Sequence, residues 1–172
     1  LVGSEMCIRD RFMDVAVLPY MEDAAQKTRA QDELPQSAGG RTITTTEPKF
    51  IPQEAVELKL AGEVTIRVRL VDCVGFMVEG AAGHLEDGAE RLVKTPWYDH
   101  EIPFTQAAEL GTRKVITDHS TIGVVVTTDG SFSDLPQETY LDAENQAISE
   151  LKKLHKPFLV LVNSSHPSSR TA

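Results

Sequence analysis

An acid and a glycine follow an apolar stretch near the middle of the chain, at a spacing suited to phosphate chemistry. Residues 68–75 read V-R-L-V-D-C-V-G, which predicts a buried strand with Asp72 at its carboxyl end. Open α/β sheets bind ligands at that end of their strands, and a carboxylate there can hold Mg²⁺, usually through water. Gly75 lacks a Cβ, so its backbone can come close to a terminal phosphate. The pattern also fits an ordinary strand-to-loop turn.

Three consecutive threonines, Thr44, Thr45 and Thr46, precede the first predicted strand. A loop that senses a terminal phosphate needs a hydroxyl that can ligate Mg²⁺ and a backbone N–H directed at that phosphate. Threonine also favours extended, half-exposed backbone for reasons unrelated to any ligand. The residue types alone therefore leave both interpretations open.

No segment of the sequence matches the usual phosphate-binding loop. The nearest is S-A-G-G-R-T, residues 37–42, in which Arg41 replaces the lysine and no predicted strand precedes the loop. Asn163 ends the last apolar strand, where guanine-specific domains carry Asn-Lys-x-Asp and the aspartate accepts hydrogen bonds from the base. Ser164 and His166 stand at the lysine and aspartate positions. The sequence therefore argues for ATP or for loose base choice.

The elements that would position these residues alternate between strands and helices. Hydrophobic periodicity predicts a helix over residues 11–19, a hairpin of strands 55–60 and 64–71 joined by 61–63, a helix over 104–118, a strand over 121–127, a helix over 137–154 and a strand over 158–163. The last two strands are continuous apolar runs, typical of strands that are buried on both faces. This alternation predicts a mainly parallel sheet flanked by helices.

Two polar stretches are predicted to be loops. Residues 22–40 are polar and finish in S-A-G-G, which is typical of a mobile loop. Residues 76–103 are rich in glycine and acidic residues, and three interpretations of them stay open: a lid, a contact surface and a solvated excursion.

Composition excludes several classes of function. The formal charge of −9 disfavours non-specific binding to nucleic acids or anionic membranes. No apolar run approaches the roughly 18 residues needed to span a bilayer. Two cysteines, Cys7 and Cys73, and five scattered histidines disfavour a zinc cage, and the cysteine usage favours a reduced, cytosolic setting.

Longer segments of the chain resemble the stage IV sporulation protein A family, the spore-coat morphogenetic ATPases of endospore-forming bacteria. The threonine loop, Asp72-x-x-Gly75 and Asn163 occur in the order of a translation-factor-like P-loop NTPase. R-L-V-D-C-V-G and H-S-T-I-G-V-V-V-T-T-D-G are among the matching segments, and the likeness covers about residues 11–167. It implies an α/β, P-loop NTPase-like three-layer sandwich whose first strand and Walker A loop belong upstream. Residues 1–10 are interpreted as a foreign leader, and residues 11–172 as a partial NTPase domain.

The resemblance also implies a function. In the whole protein, ATP hydrolysis with Mg²⁺ would drive self-assembly into a static polymer, the basement layer of the endospore coat. That protein would lie in the mother-cell cytoplasm, peripheral at the outer forespore membrane. A small amphipathic membrane peptide would recruit it there, and other coat proteins would dock on it, through regions absent from this chain.

The resemblance assigns roles residue by residue. Asp72 matches the family's Walker B acid, and Thr45 and Thr46 match its threonines that sense the γ-phosphate, with Asp72 and Thr46 as Mg²⁺ ligands. Gly75 and Asn163 would contact the nucleotide. The chain alone is expected to be inactive because it lacks the phosphate loop. The alternative is a non-catalytic structural adaptor that keeps an NTPase-like fold.

Overall fold

The computed structural model describes residues 12–33, 48–60, 64–81, 83–131 and 135–168. These residues belong to two compact units, and the boundary between the units falls between Asp72 and Cys73. The first unit contains the described residues from Phe12 to Asp72 except Pro48, which belongs with the second.

The first unit is built on an antiparallel hairpin. Strand β1 (Lys49–Leu60) pairs with strand β2 (Val64–Asp72), and the register shifts between Ile51 and Val56. The predicted hairpin is therefore confirmed, although residues 61–63 lie outside the described residues. The predicted burial of β2 is wrong, because none of its residues is buried: Val64 is 51% exposed, and Val68 and Leu70 pack against the core only in part. Alternate side chains of a strand point to opposite faces, and only one face of this hairpin is covered.

Helix α1 (Ala24–Asp32) stands where the sequence predicts a loop, so that prediction is wrong for these residues. The Asp23 Oδ1 accepts the N–H groups of Ala25 at 2.8 Å and Gln26 at 3.2 Å, which caps the helix N-terminus. The segment consists largely of helix-forming residues but has no apolar stripe, and periodicity detects only stripes. Residues 34–40 of the predicted loop lie outside the described residues.

The predicted first helix is a pair of short helical turns, Met13–Val17 and Leu18–Tyr20. Their buried side chains join α1 and β1 in the core of this unit, which comprises Met13, Val17, Leu18, Met21, Ala30, Val56 and Leu58. Val15 is an apolar residue of this segment but is 65% exposed. The buried face follows Met13 and Val17, which are four residues apart and therefore on one side of a helical turn.

Residues 76–103, predicted as one long loop, contain four two-residue strands: β3 (Leu85–Glu86), β4 (Ala89–Glu90), β5 (Leu92–Val93) and β6 (Ile102–Pro103). Strand β3 pairs with β4, and β5 pairs with β6, both antiparallel. Asp87 and Gly88 have φ angles of 52° and 80°, as the tight turn between β3 and β4 requires.

The same segment is anchored by buried apolar side chains. Phe76 packs with Ile116 and Leu151, and Val78 and Ala81 pack with Tyr140. The solvated excursion is therefore wrong for these anchored residues, whereas β3 and β4 are exposed and agree with it.

The rest of the second unit is an α/β arrangement with these elements: α2 (Phe104–Lys114), continued by a wider helical turn over Val115–His119, β7 (Gly123–Thr128), a short turn over Gln137–Tyr140, α3 (Leu141–Lys153) and β8 (Phe158–Asn163). Strands β7 and β8 are parallel and in register from Gly123–Phe158 to Thr128–Asn163. These two helices and two strands confirm the sequence prediction. The fold is mixed α/β, and the four described strand pairs comprise one parallel and three antiparallel ones.

The predicted burial of β7 and β8 on both faces is wrong in the described structure. Val125 and Phe158 pack on one face with Leu151 of α3. Val124 and Leu159 are register partners on the other face and are 42% and 59% exposed. An apolar surface is thus open to solvent on this parallel pair. Within the described residues, no helix is long and apolar enough to cross a membrane.

Candidate functional site

The acid and the glycine lie where the sequence predicts them, at the carboxyl end of a strand. Asp72 is the last residue of β2, is partly exposed and stands opposite Lys49 of β1. Gly75 has a φ of 87°, in the region that residues with a Cβ enter at a cost. The backbone after the strand therefore requires glycine at this position.

The Gly75 N–H already has a partner in the structure, the side chain of Thr112. The N–H donates to the Thr112 Oγ1 at 3.0 Å, and Thr112 is a residue of α2 that is only 4% exposed. Sequence reasoning missed this residue. One signal was available, because Thr112 follows Ala108 by four residues on the apolar side of the predicted helix, and a hydroxyl buried there needs a hydrogen-bond partner.

Buried neighbours hold the Gly75 backbone on both sides. Val74 packs with Phe104 and Ala108 of α2, and Phe76 packs in the cluster of Ile116 and Leu151. The glycine peptide is therefore held to α2 by one hydrogen bond and by Val74, while Phe76 anchors it to Ile116 and to Leu151 of α3.

An ion pair ties α2 to α3 beside this segment. Arg113 Nη1 lies 2.7 Å from Glu150 Oε1, and the Arg113 guanidinium stands 5.7 Å from the centre of the Phe76 ring. The hydrogen bond from Lys153 and the charge of Arg113 lower the pKa of Glu150, although partial burial opposes them. Glu150 therefore stays ionised and paired at neutral pH.

A second group of polar residues gathers at the carboxyl ends of β7 and β8. Asn163 ends β8, and its carbonyl oxygen accepts the N–H of Asp129, which follows β7, at 3.4 Å. The N–H of Ser165 donates to Ser131 Oγ at 2.8 Å, and Ser165 Oγ donates to the Ser131 carbonyl at 3.1 Å. The two loops that follow the parallel strands are thus tied together around Asn163.

The carboxylate of Asp129 lies inside this group. It accepts from the Ser131 hydroxyl at 2.5 Å and from the Ser131 N–H at 3.0 Å. The hydrogen bond from the Ser131 hydroxyl, followed by that from Ser164, lowers the pKa of Asp129 from 3.8 to about 2. His166 donates its N–H to Ser164 Oγ at 3.0 Å, so the segment that would read a guanine base instead folds on itself.

The remaining predicted site residues, Thr45 and Thr46, lie outside the described residues, as does Thr44. Asp72 is the predicted Mg²⁺ ligand that the structure describes. The described part of the chain contains no group of three or more His, Cys, Asp and Glu side chains that could hold a metal ion. A single carboxylate at a strand end fits Mg²⁺, which commonly takes one or two carboxylates and completes its shell with water and phosphate oxygens.

The chain matches the family described as Stage IV sporulation protein A, ATPase domain, over residues 2–172. A match of this extent shows membership: the chain belongs to the family of Stage IV sporulation protein A ATPase domains.

Relatives that carry this protein name match at about half identity. Stage IV sporulation protein A of Bacillus subtilis (strain 168) is 51% identical over 157 residues, which is 91% of this chain and 32% of that protein. The Bacillus anthracis protein is 50% identical over the same length, with the same shares covered. The Clostridioides difficile (strain 630) protein is 50% identical over 167 residues, 97% of this chain and 34% of that protein. The chain thus spans about a third of these curated relatives, and no solved structure matches it.

Proposed function

We propose that the full-length protein is an ATP-hydrolysing morphogenetic scaffold that self-assembles into the basement layer of the bacterial endospore coat. The observation that carries the proposal is the match to a family described as an ATPase domain over nearly the whole chain. The names of the relatives support a role in sporulation.

Two features of the described residues support the chemistry. An acid ends β2, and the glycine three residues later in the sequence has a positive φ, which a residue without a Cβ adopts at little cost. Bound Mg²⁺ would neutralise charge on the phosphates of ATP. Asp72 would hold that ion together with Thr46, while Thr45 and Thr46 would sense the γ-phosphate. Asn163 would contact the nucleotide at the end of β8.

Residues 11–172 would belong to a domain of the three-layer, mainly parallel NTPase type. The apolar surface on β7 and β8 supports this part of the proposal, because parallel sheets are normally covered on both faces. Without the lysine and N–H groups of a phosphate loop, this chain alone would not hydrolyse ATP.

The proposed location is the mother-cell cytoplasm, with the protein peripheral at the outer forespore membrane. A small amphipathic membrane peptide would recruit it, and other coat proteins would dock on the polymer. These contacts would use regions outside this chain.

The first test replaces the acid. In the full-length protein, Asp72→Ala should lower Mg²⁺-dependent ATP turnover on the order of a hundredfold with little change in melting temperature, because the residue ends a strand and is partly exposed. Glu57→Ala is the matched control, since Glu57 is an exposed acid of the same hairpin. Equal turnover by the two variants would refute the role of Asp72.

The second test removes the two threonine hydroxyls together. Thr45→Ala with Thr46→Ala should leave ATP binding intact but abolish hydrolysis and the assembly coupled to it. ATP-dependent polymer formation by this double variant, followed by light scattering and electron microscopy, would contradict the assignment. If the full-length protein showed no Mg²⁺-dependent turnover at all, the structural adaptor would be the better description.

A further inference from the structure

We infer that Thr112 is a positioning residue for the nucleotide reaction, because its hydroxyl holds the Gly75 N–H until a γ-phosphate oxygen takes over that hydrogen bond. The inference rests on the proposed function and adds to it a residue on α2 that no sequence pattern assigned. As a consequence, the site would distinguish ATP from ADP through one hydrogen bond: the Gly75 N–H would donate to the γ-phosphate when ATP is bound and to Thr112 when ADP is bound.

The geometry gives the first step. The Gly75 N–H donates to Thr112 Oγ1 at 3.0 Å, and the proposed function gives this same N–H a terminal phosphate oxygen as its acceptor. One N–H group makes one strong hydrogen bond, so donation to a phosphate oxygen requires release from the hydroxyl.

The packing limits how that release can occur. Val74 is 8% exposed and Phe76 is 4% exposed, and both side chains are packed beside the glycine. A swing of the whole segment would remove two apolar side chains from their clusters. Rotation of the peptide group between Val74 and Gly75 moves the Gly75 N–H and the Val74 carbonyl but leaves both side chains in their clusters, and glycine tolerates the resulting change in φ.

The energetics give the direction of the exchange. A hydroxyl is a neutral acceptor, whereas a phosphate oxygen is charged, and hydrogen bonds to charged acceptors are roughly twice as strong. The γ-phosphate of ATP should therefore displace Thr112 as the acceptor. ADP has no γ-phosphate, so the N–H would return to Thr112 after hydrolysis and release of phosphate.

The test uses the full-length protein with Thr112→Val, which keeps the shape of the side chain and removes the acceptor. The Gly75 N–H then lacks a partner in the ADP-bound state but keeps one in the ATP-bound state. The ratio of ADP to ATP dissociation constants should rise about tenfold, which corresponds to roughly 1.4 kcal/mol. Calorimetry with ADP and with a non-hydrolysable ATP analogue measures this ratio.

Two further variants separate this role from a merely structural one. Thr112→Ser keeps the hydroxyl and should restore the ratio of the unmodified protein. Thr117→Val is the control, because the Thr117 hydroxyl donates to the Arg113 carbonyl within the same helical segment, away from Gly75. A ratio that is unchanged or lowered by Thr112→Val would overturn the inference.

If the Thr112→Val variant does not fold, NMR of the unmodified protein tests the same exchange directly. In the unmodified protein, the amide resonance of Gly75 should shift on addition of the ATP analogue and not on addition of ADP. If both nucleotides leave it unchanged, or both shift it equally, the exchange of acceptor does not occur. These results differ from failure of the proposed function, in which the full-length protein would neither bind nor hydrolyse ATP.

Discussion

Lys156 stabilises the end of the helical segment that carries Thr112. Replacing Lys156 tests whether its hydrogen bonds hold this end of the segment in place. The Lys156 Nζ donates to the carbonyl oxygens of Ile116 at 2.5 Å, Thr117 at 2.9 Å and Ser120 at 2.7 Å. An ammonium group has three N–H donors, and all three are used here. The carbonyls at the C-terminus of a helix have no partner within the helix, and a cation there also complements the helix dipole.

Lys156→Met removes the charge and all three hydrogen bonds while keeping most of the apolar stem. A hydrogen bond to a charged group contributes about 1.5–3 kcal/mol, but these three share one charge, and the exposed carbonyl of Thr117 regains water. We therefore expect a loss of about 2–3 kcal/mol in the free energy of opening the Val115–His119 turn. That loss corresponds to a 30- to 150-fold faster amide exchange, by roughly 1.4 kcal/mol per factor of ten.

Hydrogen exchange measured by mass spectrometry on the full-length protein would follow this turn. The Ser120 amide, which donates to the Val115 carbonyl at 2.9 Å, is the most direct reporter. Lys156→Arg should recover less than half of the loss, because a planar guanidinium does not match three convergent carbonyls. Lys153→Met is the control, since the side chain of Lys153 is largely exposed and pairs with Glu150. Equal protection in Lys156→Met and in the control would refute the reasoning.

Three other predictions follow from particular contacts. A Cβ added at Gly123 would lie 2.7 Å from both methyl carbons of Leu151, so Gly123→Ala should lower the free energy of unfolding in urea by about 1–3 kcal/mol. Leu151→Ala in the same chain should relieve that clash, so the double variant should lose less than the sum of the two single losses. A loss equal to that sum would contradict the predicted clash. The pKa of Asp129 is lowered to about 2, so its contribution to stability is complete above its ordinary pKa of 3.8 and is lost as the pH falls through about 2. Ser131→Ala should raise this pKa in a carboxylate NMR titration, and an unchanged value would be evidence against the assigned hydrogen bond. Residues 1–172 produced alone should be insoluble or molten, because apolar side chains of β7 and β8 are open to solvent; a soluble monomer with a sharp thermal transition would disprove this.

Local pattern in the sequence was enough to predict most elements of the second unit. The apolar runs of β7 and β8 and the periodic helices α2 and α3 follow from propensity and spacing within a few residues. The same reasoning predicted that Asp72 ends a strand, whereas the need for glycine at position 75 became clear only from its φ of 87°. Helix α1 was missed because its signals are a cap and helix-forming residues, without the apolar period on which the prediction relies.

Only the tertiary structure decided which partners these elements have. The hydrogen bond from Gly75 to Thr112 joins residues 37 positions apart, and the one from Ser165 to Ser131 joins residues 34 apart. The three bonds of Lys156 reach back 36 to 40 positions. No period or propensity encodes such pairs, because they depend on how packed helices and strands orient their side chains.

Burial was the other property that the sequence left undecided. The run F-L-V-L-V-N is typical of a strand covered on both faces, yet Leu159 and Val162 of β8 are 59% and 52% exposed. Phe76 and Val78 are both buried, in a segment whose composition left a lid, a contact surface and a solvated excursion open. Hydrophobicity sets how much free energy a side chain would gain from burial. Whether that gain is realised depends on which surfaces the folded chain places against it.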